Sequence, residues 1–406
     1  MGKKYETPLL DELKKGKWPS FVAEMERAAE TSEMTGDLLG QVEQSYKEKM
    51  GHWKHGGMVG VKGYGSGIVG RFSDLPEKYP GVKEFHTVRI NQPSGFFYKS
   101  DSLRKIVDIG EKHASSLFNF HGSTGDIQIL GVKTSELETI FQQLVSFGFD
   151  LGGSGSALRT PSCCVGMARC EFANYDAMHI CYNITQAFQD EMHRPIFNYK
   201  FKFKFSGCGN DCTASIARAD MSIIGTWKDN IRIDQGMVKE YAKKMNLHKY
   251  VTSKCPTKCM NYSDTGLEID DSNCSKCMHC INVMPKALRP GIKGGATILL
   301  GSKAPMVSGP RLSMVLVPFY DVAEDAKNGY QWFKDFVGKI WEFWDEYGVN
   351  RERIGELIQR VGIGNFLEAI GLEPLPEMVS SPRGNPFVLY EDYVEADEGQ
   401  GESPQG

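Results

Sequence analysis

The chain has 406 residues, 41% of them apolar and 24% charged, with a formal charge of −4. It is too long for one small domain, too apolar for a disordered chain, and lacks the basic surplus of a nucleic-acid binder. No apolar run nears the ~18 residues of a membrane helix, and the charged segment before Phe21, with Pro8 and Pro19, lacks the apolar core of a secretory signal, so a cytoplasmic location is expected.

Leu9, Leu10 and Leu13, then Val22, Met25 and Ala28, recur at helical intervals and predict helices across residues 5–50. Residues 58–71 are Gly-rich and β-like. A helix is predicted for 103–117, then two apolar runs around His121-Gly122-Ser123-Thr124-Gly125-Asp126, then a helix for 134–149. Gly152-Gly153-Ser154-Gly155-Ser156 reads as a tight loop, because Leu158-Arg159-Thr160-Pro161 runs straight from it into the first cysteines. Tyr199-Lys200-Phe201-Lys202-Phe203-Lys204-Phe205 alternates with period two, predicting a strand with lysines on one face and aromatics on the other. Strands are predicted for 296–301 and 313–318. Tyr330, Phe333, Val337, Ile340 and Trp344 form the core-facing stripe of a helix, and the acidic tail 395–406 is expected to be disordered.

All eleven cysteines lie between Cys163 and Cys280, and an odd number excludes a complete disulfide framework. Clusters of this kind in a reducing compartment read as metal sites. Cys164-x5-Cys170 and Cys208-x3-Cys212 place two pairs on separate loops, a spacing that leaves zinc and an iron–sulfur cluster equally open. The neighbouring lysine face repels itself, and a polyanionic ligand would relieve it. Arg71, Arg89, Arg159 and Arg218 are each ordinary surface residues on their own; together they would surround the four cysteines with positive charge.

The second group is more specific. Cys274-x2-Cys277-x2-Cys280 lets one backbone turn wrap three corners of an iron–sulfur cube. Two-cluster ferredoxins continue with x3-Cys-Pro, whereas here Met284-Pro285 keeps the proline and loses the cysteine. One [4Fe–4S] cluster is therefore expected, with Cys255 of Cys255-Pro256 as the remote fourth ligand. The competing reading, a four-cysteine zinc site, normally pairs two Cys-x2-Cys knuckles. Cys259 is left over.

The two cysteine pairs beside a Lys-Phe-Lys strand resemble the sirohaem sulfite and nitrite reductases. A longer set of motifs is similar, in order, to the alpha subunits of dissimilatory sulfite reductases: His52-Trp53-Lys54-His55-Gly56-Gly57, Phe120-His121-Gly122-Ser123-Thr124-Gly125-Asp126, Gly152-Gly153-Ser154-Gly155-Ser156, His193-Arg194-Pro195, Lys200-Phe201-Lys202 and Cys277-Met278-His279-Cys280. The resemblance implies a [4Fe–4S] cluster on Cys164, Cys170, Cys208 and Cys212, with Cys212 also ligating the sirohaem iron. Sirohaem carboxylates would be bound by Arg71, Arg89, Arg159, Lys200, Lys202, Lys204 and Arg218. Arg89, Arg159, Lys200 and Lys202 match positions that face the sulfite side of the iron and carry catalysis. One departure is Cys208-Gly209-Asn210-Asp211-Cys212, where the family has proline at the second position; its loss frees the loop without removing a ligand.

The resemblance further implies six-electron reduction of sulfite towards sulfide. It brings a homologous beta subunit in an α2β2 complex and a small sulfur-accepting protein with a C-terminal cysteine. Two other readings stay open: an electron-transfer and scaffold subunit carrying a structural, even metal-free, macrocycle, and a reverse-acting enzyme that oxidises reduced sulfur to sulfite. The expected architecture is α+β. An N-terminal half spans 1–150, a sirohaem and [4Fe–4S] domain spans 151–235 and 292–394, and a ferredoxin-like [4Fe–4S] insert occupies 236–291.

Overall fold

The structure, a computed structural model, describes residues 4–16, 19–303 and 310–379; the acidic tail expected at 395–406 lies outside them. Two units are each assembled from separate stretches of chain. The first contains Met1–Ser162, Cys181–Phe203 and Trp344–Ile354, and the second contains Cys163–Ile180, Lys204–Phe343 and Gly355–Gly406.

In the first unit, helices Pro8–Glu12, Phe21–Ala29 and Glu33–Glu48 occupy the region expected to be helical, and the side chains of Ser20 and Ser32 cap the second and third. Strands β1 (Trp53–Val61), β2 (Tyr64–Ser73), β3 (Glu84–Ile90), β4 (Phe118–Phe120) and β5 (Ile127–Val132) form one antiparallel sheet in the order β1-β2-β3-β5-β4. The helix expected at 103–117 runs from Ser100 to His113. It stops there because Ala114 turns extended and Ser116 takes a left-handed φ of 62°. Ile68, Val88, Ile90 and Ile129 form one face of the sheet, against Ile106 and Ile109 of this helix and Ile140 and Leu144 of helix Leu137–Ser146. The tight loop at 152–156 is tied down by the Gly67 N–H, which donates to Ser154 Oγ at 2.8 Å. A Cβ on Gly153 would lie 1.6 Å from the Leu158 carbonyl oxygen, so only glycine fits.

The second sheet has the order β14-β13-β8-β7-β6. Its strands are β6 (Ser162–Cys163), β7 (Phe203–Ser206), β8 (Met221–Trp227), β13 (Gly294–Leu300) and β14 (Met314–Tyr320). Two small ribbons organise the intervening chain, one pairing β9 (Arg232–Ile233) with β12 (Leu288–Arg289), the other β10 (Met260–Ser263) with β11 (Gly266–Ile269). Strands β13 and β14 match the two predicted at 296–301 and 313–318 to within two residues at each end. The predicted helical stripe is seen in Gln331–Tyr347, where Phe333, Val337, Ile340 and Trp344 are buried and Tyr330 sits just ahead of the first turn.

One expectation differs from what is found. The strand predicted over 199–205 is only β7, preceded by an isolated bridge between Phe201 and Leu158. The neighbouring segment ends in Pro161, which has no N–H to continue the ladder. Phe201, Phe203 and Phe205 are buried as the alternation requires, but Lys204 is buried too. The two units divide at Ser162, and 236–291 lies inside the second. Its Val238, Leu247, Val251 and Ile281 share one apolar cluster with Trp227, Ile231 and Cys208, so this segment has no core separate from its host.

Glycines on β8 and on the long helix give opposite expectations. A Cβ on Gly225 would meet the Gly207 carbonyl oxygen at 1.9 Å, whereas one on Gly338 meets nothing within 4 Å. Thermal unfolding is expected to show Gly225→Ala destabilised by about 1–3 kcal/mol and Gly338→Ala stabilised by roughly 0.5–1 kcal/mol.

Candidate functional site

The second unit gathers two groups of cysteines. At the first, the Cys164 N–H donates to the Phe205 carbonyl at 3.0 Å and its sulfur accepts the Gly207 N–H at 3.1 Å. Cys170 ends the short helix Gly166–Arg169, and Cys208 and Cys212 flank the loop after β7. Burial pushes the Cys208 thiol up to about 11, and Cys170, Cys212 and Cys164 all lie close enough for their charges to add to that effect. The four are therefore neighbours, while adjacent Cys163 is taken up in β6 and fully buried. Asp211 holds the loop. Its Oδ1 accepts the Ser206 hydroxyl at 2.6 Å, the Ser215 N–H at 2.9 Å and the Ser215 hydroxyl at 2.6 Å, and its Oδ2 accepts the Ile216 N–H at 2.9 Å. Lys204 Nζ donates to the Thr213 carbonyl at 3.0 Å, and Arg218 is exposed at the end of helix Ser215–Arg218.

At the second place, Cys255, Cys274, Cys277 and Cys280 line one cavity walled by Trp227, Ile231, Val251 and Ile281, and Cys259 lines it as well. Cys280 is pushed up to about 12 by burial and then by the charges of Cys274 and Cys277. For Cys255 burial acts in the same direction, but the Thr257 hydroxyl and the N–H groups of Thr257 and Cys259 outweigh it and hold the thiol below its ordinary range. Lys258, Lys276 and Met278 here, and Asp211 and Ala214 at the first place, adopt left-handed φ values of 52°, 54°, 69°, 45° and 50°. Such conformations cost non-glycine residues on the order of 1–3 kcal/mol each and cluster at functional loops, where they turn N–H groups inward. One of these, the Lys276 N–H, donates to Cys274 Sγ at 3.4 Å.

The donor chemistry fits iron–sulfur clusters. Zinc holds its ligands about 2.3 Å from one point, and among the described residues no three His, Cys, Asp or Glu side chains converge in that way. A cube spreads its thiolates over four corners and takes N–H hydrogen bonds on sulfur, as Gly207 and Lys276 offer. The two cysteine loops also touch. A Cβ on Gly209 would lie 3.0 Å from the Lys276 carbonyl oxygen and 3.2 Å from Met278 Cγ. Asn210 and Asn282 exchange reciprocal amide hydrogen bonds of 3.1 and 2.5 Å. The missing ring at Gly209 therefore permits a close approach, beyond any freedom it gives the loop.

The first unit carries the other cations. Alternation across the β2–β3 register puts Arg71 and Arg89 on the same face, opposite the isoleucine core. Arg89 pairs with buried Asp126, its Nε lying 2.5 Å from Oδ2. Arg159 is 9% exposed and donates to the carbonyls of Gly155 and Ala157 at 2.7 and 3.1 Å; burial, then Arg89, pulls it down to about 9. Arg71 donates to His55 Nδ1 at 2.8 Å, and its buried Nε has no hydrogen-bond partner. Lys200 lies over the Tyr199 ring and Lys202 Nζ donates to Ser123 Oγ at 2.7 Å. Arg71, Arg159 and Lys200 thus lean on neutral partners while burial and neighbouring cations (Arg89 for Arg71 and Arg159, Arg353 and Arg159 for Lys200) pull each of them down, an arrangement that suits a multiply charged anion such as a polycarboxylate macrocycle.

Several functional residues escaped the sequence reading. Tyr199 meets Arg351 on its ring at 5.4 Å, and Lys200, Arg351 and Arg159 overcome burial to draw its phenol below the usual range. His121, Thr124 and Asp126 lay inside a quoted motif but had no assigned role. Thr124 donates to Asp126 in a short hydrogen bond and accepts from Arg89 Nη2 at 2.8 Å. His121 Nδ1 lies 2.8 Å from the same hydroxyl oxygen and 3.5 Å from Arg89 Nη2. Burial, then Arg89, lowers His121 to about 4.

Two expectations follow from these contacts. Asp211→Ala strands four donors around the Cys208–Cys212 loop, and thermal unfolding is expected to register a loss of about 1–3 kcal/mol, partly recovered in Asp211→Asn. For His121, the unfolded imidazole titrates near 6.5 and the folded one near 4. Between those values the unfolded chain binds the extra proton, so stability falls as pH drops through that window. Urea midpoints against pH are expected to show a shallower slope there in His121→Gln.

A family model described as the nitrite and sulphite reductase 4Fe-4S domain matches residues 154–378, and one described as the nitrite/sulfite reductase ferredoxin-like half domain matches 78–147. The dissimilatory-type sulfite reductase subunit alpha of Nitratidesulfovibrio vulgaris is 47% identical over 419 residues, covering 96% of this chain and 95% of its own. The corresponding subunit of Allochromatium vinosum is 42% identical, covering 97% and 96%. Among solved structures, the crystal structure of dissimilatory sulfite reductase I superposes with a TM-score of 0.88 at 46% identity, over 99% of this chain and 98% of that one. With near-complete coverage by relatives and a four-iron domain laid over both cysteine groups, the chain belongs to the family of dissimilatory-type sulfite reductase alpha subunits.

Proposed function

We propose that this chain acts as the alpha subunit of an enzyme that reduces sulfite towards sulfide, taking sulfur from +4 to −2 with six electrons and six protons and releasing three waters. The observation that carries the reading is the contact of the two cysteine loops at Gly209 and through Asn210 and Asn282. Cys164, Cys170, Cys208 and Cys212 would hold one [4Fe–4S] cluster, and Cys212 would also be a ligand to sirohaem. Cys255, Cys274, Cys277 and Cys280 hold the other, within the ferredoxin-like segment 236–291. These groups supply the electron storage and transfer that no side chain provides.

The polypeptide supplies charge and protons. Arg71, Lys204 and Arg218 bind macrocycle carboxylates. Arg89, Arg159, Lys200 and Lys202 serve both these and the sulfite dianion, whose charge compensates cations that otherwise repel one another. Burial, with Arg353 and Arg159 acting against Tyr199, holds the Lys200 ammonium below its usual range. It therefore gives up a proton more readily than a free lysine, as the loss of each oxygen as water demands. The fixed charge of Arg89, locked on Asp126, is suited to orienting the anion. The assembly expected is an α2β2 complex with a homologous beta subunit in the cytoplasm, passing sulfur to a small partner with a C-terminal cysteine.

Iron and acid-labile sulfide counts on the purified complex are expected to match two cubes per alpha chain. Cys274→Ser is expected to lose turnover with the natural donor while keeping the macrocycle absorbance. Full turnover in that variant would overturn the role given to the second cysteine group.

A further inference from the structure

The cavity at the second cysteine group is lined by five cysteine sulfurs where a cube takes four. Cys259 Sγ lies 3.5 Å from Cys255 Sγ, and the Thr257 hydroxyl oxygen lies 3.6 Å from the same Cys255 sulfur. A ligating cysteine has given up its thiol hydrogen. If Cys255 ligates, the only hydrogen left to bridge the two sulfurs belongs to Cys259. The surroundings favour that direction, because donors converge on Cys255 whereas Cys259 is buried, with its carbonyl occupied by the Asp270 N–H at 2.8 Å.

We propose that Cys259 is a positioning residue for the ferredoxin-like centre: its thiol donates a hydrogen bond to the Cys255 thiolate and thereby raises the reduction potential of the cluster bound there. The inference rests on reading the second cavity as a cluster site. Reduction adds one negative charge to the cluster, and a donor aimed at a ligand sulfur stabilises that charge more in the reduced than in the oxidised form. A hydrogen bond to a charged group is worth enough for about a tenfold change in an equilibrium constant, and a tenfold change in a one-electron couple is about 59 mV. The Cys259 donor thus adjusts how readily the second cluster accepts an electron without itself contacting sulfite or iron.

The test is an EPR-monitored redox titration of the purified holoprotein, with iron and sulfide counts beside it. Cys259→Ala is expected to load the cluster but to titrate lower, by the equivalent of about a tenfold shift. Cys259→Ser, which keeps the shape and a donor, is expected to load fully and remain near the unsubstituted potential. An unchanged potential in Cys259→Ala overturns the proposal. So does failure of both variants to load the cluster while Cys255→Ser loads it, since that would make Cys259 the ligand. A missing cluster in the unsubstituted protein would sink the functional reading instead, so the two failures are distinguishable.

Discussion

The close approach of two cysteine loops is the constraint on which the second unit depends. Gly209 lies against the Lys276 carbonyl and Met278 with no room for a Cβ of ordinary contact, and the same apolar cluster contains Cys208, Met278 and Cys280. Packing of this kind is all or nothing, because protein interiors tolerate few voids and little overlap. The left-handed residues on both loops are strained on their own. They persist because neighbouring contacts over-determine them: Asp211 with four donors on one side, Trp227 and the core on the other. The result is two sets of thiols carried on loops fixed by their own packing and hydrogen bonds.

In the first unit the governing term is charge rather than packing. A sheet face carrying Arg71 and Arg89, with Arg159 and Lys200 nearby, is costly to bury without anions, yet most of these groups are partly or wholly removed from solvent. Asp126 offsets one of them. The chain of contacts from Asp126 through Thr124 reaches His121, which burial and Arg89 hold in its neutral form. A neutral histidine among cations is the form that does not add to their repulsion.

Much of this was legible in the sequence because it depends on local spacing. Cys-x2-Cys-x2-Cys, the run of phenylalanines alternating with lysines and the helical stripe ending at Trp344 each carry their own geometry: a turn, a strand face, a helix face. Where local pattern and structure part company, backbone hydrogen bonding explains it. The Lys-Phe strand is cut short beside Pro161, and Lys204 is buried because its carbonyl partner at Thr213 lies in the cysteine loop. Asp211, Asn282 and Tyr199 carried no such pattern, because their roles come from partners 4 to 152 positions away, beginning with Asp211 to Ser215 and ending with Tyr199 to Arg351.

The amino-acid order by itself decided which cysteines form groups, that one group suits a cube, and that an excess of positive charge accompanies them, because ligand spacing and charge type are properties of neighbouring residues. Only the tertiary structure decided that the two groups meet at a glycine, that a fifth cysteine sulfur stands beside Cys255, and that Thr124 links Asp126 to His121. Those facts depend on distances between segments far apart in the chain, and such distances are set when the core closes.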